Sequence, residues 1–278
     1  MTDSPSLPPC LPFPRHAFKS DALFSQLLFC LQNFAGPLTE LVTWAGGVLE
    51  EAAKANDKGK LVVVMETMRL CCRVFFSLNW QDLPEFFEDN MERWMQIFAT
   101  LLGFTHRLLI DEEEEERPGP LELVRAAVVE NVSLYATKYE EEFQPHLNTF
   151  ATAVWELLKA SGTSASQPKF DGLVTVSMRF LASLAGKQMH FALFNNPTLL
   201  RQIVEAIVVP NVTMREEEEY MFEDNPTEYI QRDMEGSDQD TRRRCACELV
   251  RALCGQFDEV VTGICLEYIQ NMLGLYQR

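Results

Sequence analysis

The sequence has no Cys-x-x-Cys pair, no apolar run long enough to cross a membrane, no glycine-rich phosphate loop and only four histidines. Each shortage removes a class of function. The eight cysteines are Cys10, Cys30, Cys71, Cys72, Cys245, Cys247, Cys254 and Cys265. None has the spacing of a metal or redox motif, and the adjacent Cys71 and Cys72 point in different directions from one apolar helical run. They read as small buried hydrophobes or indifferent thiols, which suits a reducing compartment. His16, His106, His146 and His190 are scattered, with no ligand spacing to a cysteine or to one another, so no zinc site is expected. Neither GxGxxG, a Walker lysine loop nor a GxSxG elbow occurs, and Gly36, Gly46 and Gly47 do not follow a strand. Carboxylates are plentiful, but acid runs in loops do not supply the shaped pocket that shifts the pKa values of a catalytic pair. The expectation is a protein without catalysis, cofactor or metal.

The most apolar run, Leu61 to Met65, is far too short to span a bilayer. The opening MTDSPSLPPCLPFP has neither a basic stretch nor an unbroken apolar stretch, and its prolines block a helix. It is therefore not a signal peptide, and residues 1–14 are expected to be disordered. Without a secretory signal, the two N-x-S/T matches at Asn131 and Asn211 count as chance. Alternation with period two is sustained nowhere, so no sheet is expected.

What is present points to helices and to acid. Hydrophobic residues make up 47% of 278, enough to bury a sizeable core and to exclude global disorder. Few glycines and many Leu, Phe, Met, Glu and Ala residues favour helix, because those types lose little rotamer freedom there. The formal net charge of −17 repels nucleic acid and anionic membranes. A basic protein partner fits such a surface; the plainer alternative is that the acid keeps the chain soluble.

Apolar residues recur at steps of three and four in Phe87, Met91, Trp94, Phe98 and Leu101, and in Phe143, Leu147, Phe150, Val154 and Leu157. The same step runs through Leu173, Val176, Phe180 and Leu184, and through Val261, Ile264, Tyr268, Met272 and Tyr276. Each set makes one stripe on a helix. The run from Lys60 to Leu78 is apolar nearly all round. Alone it could be a buried strand, but its length favours a helix held between neighbours. Start signals stand at Asn196-Pro197, Asn225-Pro226 and Ser237-Asp238-Gln239-Asp240. Connections are expected at 56–59, 117–120 and 162–167.

The helices then pair as 20–33 with 36–54, 60–79 with 84–103, 120–138 with 143–160, 168–185 with 197–209, and 238–255 with 258–276. Such pairs, recurring without a strict sequence repeat, predict an all-α fold: an α-solenoid of about five HEAT-type helical hairpins over 15–278, in a right-handed superhelix. Nearly all-apolar helices alternating with one-striped helices fit its two layers. A single irregular bundle is the rival.

Two acidic insertions interrupt the pattern. Asp111 to Glu116, near 111–117, reads as a solvated loop. The second, near 210–237, holds Glu216, Glu217, Glu218, Glu219, Glu223, Asp224, Glu228, Asp233 and Glu235, and is followed by Asp238 and Asp240. It is interleaved with Tyr220, Met221, Phe222, Tyr229, Ile230 and Met234, but without a continuous helical period. It runs into Arg242, Arg243 and Arg244. Acid beside base suggests an internal clasp, and these residues are the candidate partner-binding set.

Three stretches carry a resemblance: NWQDLPEFFEDNM at 79–91, YEEEFQ at 139–144, and FEDNPTEYIQRDMEGSD at 222–238 continuing through DTRRR at 240–244. From about Arg15 to Arg278 the chain resembles the importin-α re-exporters, a branch of the importin-β-like karyopherins. The resemblance implies a HEAT-repeat superhelix that wraps importin-α and the GTP form of Ran and carries importin-α from nucleus to cytoplasm. It maps the family's insertion, implicated in Ran contact and in opening and closing of the superhelix, to about 210–237. The family's N-terminal repeats have no counterpart, since residues 1–14 are unrelated to them, and Arg278 ends on a helix without a polar cap. The chain thus looks like an internal fragment or truncated isoform. Its implied partners are importin-α and Ran-GTP, with no nucleic acid, no membrane insertion, a monomeric state, and presence in both nucleus and cytoplasm. Alone, it is not expected to bind Ran-GTP and cargo together. A generic α-solenoid scaffold is the alternative.

Overall fold

The computed structural model describes residues 23–162, 167–233 and 241–276, and among them there are helices and no strand. The order is α1 (Phe24–Ala55), α2 (Lys58–Asn79), α3 (Glu85–Asp89), α4 (Met91–Gly103), α5 (Pro120–Lys138), α6 (Glu140–Phe143) and α7 (Leu147–Gly162). Then follow α8 (Asp171–Ala185), α9 (Phe191–Phe194), α10 (Pro197–Ile203), α11 (Val209–Val212), α12 (Glu216–Asp224), α13 (Pro226–Asp233) and α14 (Arg242–Tyr276). A π-helical stretch, Val204–Val208, joins α10 to α11 in one rod.

The helices stack in two layers. In one, α2, α5, α8 and the first half of α14 each pack along the next. The other holds α1, α4, α7 and the α10–α11 rod. Hairpins form between α1 and α2, α4 and α5, α7 and α8, and the rod and α14. The described residues thus make four hairpins and one further helix, the half of α14 beyond Phe257. Residues 1–14 and most of the 162–167 connection lie outside the described residues.

The pairing differs from the expected one by a single helix, and α1 is the reason. Residues 20–33 and 36–54 were expected to be two helices split at Gly36-Pro37. Among the described residues they form one helix with Pro37 inside it. An interior proline lacks an N–H and crowds the carbonyl four residues back, which costs about 3 kcal/mol. Here Pro37 and Asn33 both lie on the exposed side of the helix. Buried Ala35, Leu38, Val42, Ala45, Leu49 and Ala52 continue one stripe across the proline, and their packing outweighs the break. The chain turns instead at Asn56 and Asp57. Asn56 takes the left-handed conformation that ends a helix (φ 53°), and the Asp57 carboxylate accepts the Lys60 N–H at 3.0 Å to start α2. The break expected between 255 and 258 is present as a kink, with Phe257 at φ −129° and ψ 36° inside α14.

Phe75 on α2 is the hub of the first two hairpins. Its ring lies 4.8 Å from Phe87, 4.2 Å from Trp94, 5.3 Å from Phe98 and 5.7 Å from Tyr135 between centroids. Trp94 Nε1 donates to Thr39 Oγ1 at 3.2 Å, tying α4 to α1. Polar side chains fix the register of α2 on α5. Asn131 Nδ2 donates to the Cys72 carbonyl (3.0 Å), Tyr135 OH to Asn79 Oδ1 (2.9 Å) and Tyr139 OH to the Asn79 carbonyl (2.5 Å). Burial pushes both phenols above their ordinary pKa, so they stay neutral donors.

A second device repeats along the layer. Lys138 Nζ donates to the Trp80 carbonyl at the end of α2. Lys187 Nζ donates to the Ala136 carbonyl near the end of α5 (2.8 Å), and Gln256 Nε2 to the Ala185 carbonyl ending α8 (2.5 Å). Each repeat supplies a donor to the orphan carbonyls that close the helix before it.

One expectation for α2 fails in part. Leu61, Met65, Cys72 and Phe75 are fully buried, but Val62, Val63, Leu70 and Val74 are exposed. Among the described residues, α5 has a layer neighbour on each side, and α2 has one.

Phe75→Ala should cost about 3–5 kcal/mol in urea unfolding, because it empties a site lined by four fixed rings. Val63→Ala, at a side chain 66% exposed, should cost within about 0.5 kcal/mol. Equal, small losses for the two would show that Phe75 is not the hub.

Candidate partner-binding surface

The three consecutive arginines open α14, where their charge opposes the positive end of the helix dipole. Thr241 Oγ1 accepts the Arg244 N–H (3.2 Å) at this start, while the expected start signal at 237–240 lies outside the described residues. Each arginine takes a different acid. Arg242, 7% exposed, sets Nε 2.6 Å from Asp171 Oδ1 and donates to the Gln167 carbonyl (3.0 Å) and Asn211 Oδ1 (3.4 Å). Arg215 shares Asp171 with it at 2.8 Å. Burial lowers the Arg242 pKa, Asp171 raises it and the neighbouring Arg215 lowers it, but an arginine has ample range to stay charged. Arg244 pairs with Glu248 one turn along its own helix, at 3.4 Å.

Arg243 makes the clasp. Its Nη2 lies 2.8 Å from Glu218 Oε2, its Nε donates to the Val212 carbonyl (3.3 Å), and it hydrogen-bonds Tyr229 OH. Its guanidinium also sits 5.5 Å from the Tyr229 ring centroid. Glu218 Oε2 in turn accepts the Arg215 N–H (3.0 Å), which caps α12. The clasp expected between the acidic run and the arginines is therefore there, built on Glu218, Tyr229 and Arg243.

The insertion itself is helical where no helical period was expected. Glutamates crowd the first turn of α12, where the helix dipole favours them. Asn225 and Glu228 form a reciprocal cap on α13: Asn225 Oδ1 accepts the Glu228 N–H (3.2 Å) and Asn225 Nδ2 donates to Glu228 Oε2 (3.0 Å). Pro226 takes the first helical position, as its sequence signal implied. Phe222 packs edge-on to Tyr229 at 5.5 Å and holds the two short helices together.

The other candidate acids do not join the clasp in this way. Glu216, Glu219, Glu223, Asp224 and Glu228 are exposed. Glu217 lies in α12 and Asp233 ends α13. Glu235, Asp238 and Asp240 lie outside the described residues. Beside the exposed acids stand Tyr220 (72% exposed), Met221, Phe222 and Ile230. The outer side of α12–α13 thus combines negative charge with apolar anchors. Sequence reasoning missed Asp171 and Arg215. Arg215 directly precedes the acidic run, a signal that could have found it; Asp171 carries no local signal at all.

The first acidic stretch is an exposed loop, as expected, and it is anchored from within. Lys169, 9% exposed, donates Nζ to the carbonyls of Asp111 (2.9 Å) and Glu114 (2.7 Å), and its N–H to the Glu115 carbonyl (2.9 Å). Three carbonyls of the loop face Lys169, and its acidic side chains other than Glu114 are exposed. Glu114 Oε1 accepts the N–H groups of Glu116 (2.9 Å) and Arg117 (3.0 Å), and these bonds hold its carboxyl below the usual range.

Among the described residues, no cluster of three or more His, Cys, Asp or Glu could hold a metal ion, and no helix is long and apolar enough to cross a membrane. A family model described as Cse1 matches residues 13–278. The proteins named Exportin-2 from Xenopus laevis and Homo sapiens are 46% and 45% identical over 264 residues, covering 95% of this chain. The chain spans 27% of their length. A solved structure of the exportin Cse1 in its cargo-free, cytoplasmic state superposes with a TM-score of 0.87 at 36% identity. That match covers 95% of this chain and 28% of the other.

Two outcomes follow from the site geometry. Arg243→Ala removes the clasp, so amide exchange in 216–233 should rise severalfold, while Lys54→Ala, which breaks an exposed pair along α1, should leave it unchanged; no difference between the two would refute the clasp. The second concerns pH. Glu114 has a folded pKa below its unfolded value, so its contribution is present at neutral pH and is lost as pH falls through the depressed folded value. The Glu116 and Arg117 amide NMR shifts should titrate together in that window and stay flat in Glu114→Gln.

Proposed function

The chain belongs to the Cse1 family, and from that premise we propose that it is a segment of a nuclear export receptor that returns importin-α to the cytoplasm together with Ran-GTP. It acts by surface complementarity, without catalysis, and as part of a shuttling carrier it visits both nucleus and cytoplasm. The observation that carries this reading is the continuity of the family match, which runs through the solenoid, the clasp and the insertion alike. Charge supports it. A chain with a formal net charge of −17 presents an acid and aromatic face on α12–α13, which suits a basic protein surface such as that of Ran.

The segment by itself does not support Ran-dependent cargo export. A wrapping receptor gains affinity by engaging distant surfaces at once, each contact raising the effective concentration of the next. Exposed charge pairs on one segment contribute about 0–1 kcal/mol each before screening. A few of them give association in the micromolar range or weaker, by the usual affinity arithmetic. Cooperative binding of GTPase and cargo needs both sites on one bistable body.

Calorimetry of importin-α binding, with and without GTP-loaded Ran at near-physiological salt, tests both statements. Weak binding of either partner, insensitive to the other, is expected. Absence of any binding to either at about 100 μM, an affinity energy near 5.5 kcal/mol, would remove the receptor-segment reading. Tight importin-α binding that strengthens when Ran is added would instead place the working core within these repeats.

A further inference from the structure

The two acidic segments are far apart in the sequence, yet the short run 167–171 touches both. On one side, Lys169 holds the carbonyls of the 111–117 loop, and Gln167 Nε2 reaches Glu115 Oε1 at 3.4 Å. On the other, the Gln167 carbonyl accepts Arg242 Nη2, and Asp171 pairs with Arg215 and Arg242. The Arg215 N–H is held by Glu218, and Glu218 by Arg243. The last link of the loop and the first link of the clasp are therefore carried by one turn of backbone.

We propose that Lys169 is a positioning residue for the α12–α13 surface: release of the acidic loop from Lys169 loosens the clasp. Asp171 serves two guanidiniums, one of them buried, and the two repel each other. Both guanidiniums lie within 2.8 Å of the same carboxylate oxygen, so a shift of Asp171 weakens both pairs at once. The position of Asp171 follows from the turn before it, and the loop anchors that turn through the Lys169 N–H and Nζ. The element with two states is the loop itself, docked on Lys169 or released from it. A basic partner that draws the outward carboxylates of the loop away from Lys169 frees the insertion to move. That use rests on the receptor-segment reading, whereas the coupling does not, because it is a property of the free chain.

Hydrogen exchange with mass spectrometry on the full chain, without any partner, tests the coupling. Lys169→Met should raise exchange severalfold in 111–117 and also in 216–224. Lys169→Arg should restore most of the protection, since a guanidinium can donate to the same carbonyls. Lys138→Met removes a comparable bond between a cation and a carbonyl at the far edge of the layer, and should leave 216–224 unchanged. Faster exchange confined to 111–117 and 167–170 overturns the proposal. So does a uniform rise along the chain with a lowered Tm, which marks a merely structural lysine. Should Lys169→Met not fold, the reverse arm decides the matter. Coupling is reciprocal, so Arg243→Ala should also raise exchange in 111–117, and a change limited to 216–233 overturns the proposal.

Discussion

The rest of the structure depends on the side-by-side burial of α2, α5, α8 and the first half of α14. Each helix closes an apolar seam with the next, and none could bury its own surface alone. That requirement explains why α5 and α8 are buried around most of their circumference, while α4 and α7 bury one stripe. It also explains the polar details. Asn131, Asn79, Tyr135 and Tyr139 sit inside an apolar seam, and each finds a partner across it. A slip of one helix against the other would leave these groups buried and unpaired, so the network fixes register as well as adding attraction.

The donors from Lys138, Lys187 and Gln256 show the same logic at the helix ends. A helix terminus leaves carbonyls without partners, and in a solenoid the next repeat is always at hand to supply one. The chain uses three side chains of two kinds for one job, so the repeat is legible in geometry where it is absent from sequence identity.

Against this apolar frame, the acidic segments are held by electrostatics at a few points. The 111–117 loop wraps a lysine with its carbonyls, and the insertion is fastened through Glu218 and Tyr229 to Arg243. Most carboxylates in both segments stay in water, where their mutual repulsion is screened by salt. The segments are therefore fixed at the root and charged at the tip.

The sequence by itself determined the all-helical character, the two-layer stack, the start signals at Asn196 and Asn225, the kink near Phe257 and the family. These rest on local chemistry: periods of three and four, capping side chains, and long motifs whose residues stand next to one another. The structure alone decided three things. Pro37 lies within a helix because the stripe on either side of it is buried against the same neighbours, a fact of packing that local propensity cannot register. The insertion is fastened by Arg243, which reaches Glu218 and Tyr229 from beyond its own end. Asp171 joins Arg215 and Arg242 because the stack brings three separate stretches of chain to one point. Contacts between residues distant in sequence leave no trace in a single sequence, and the candidate site depends on them.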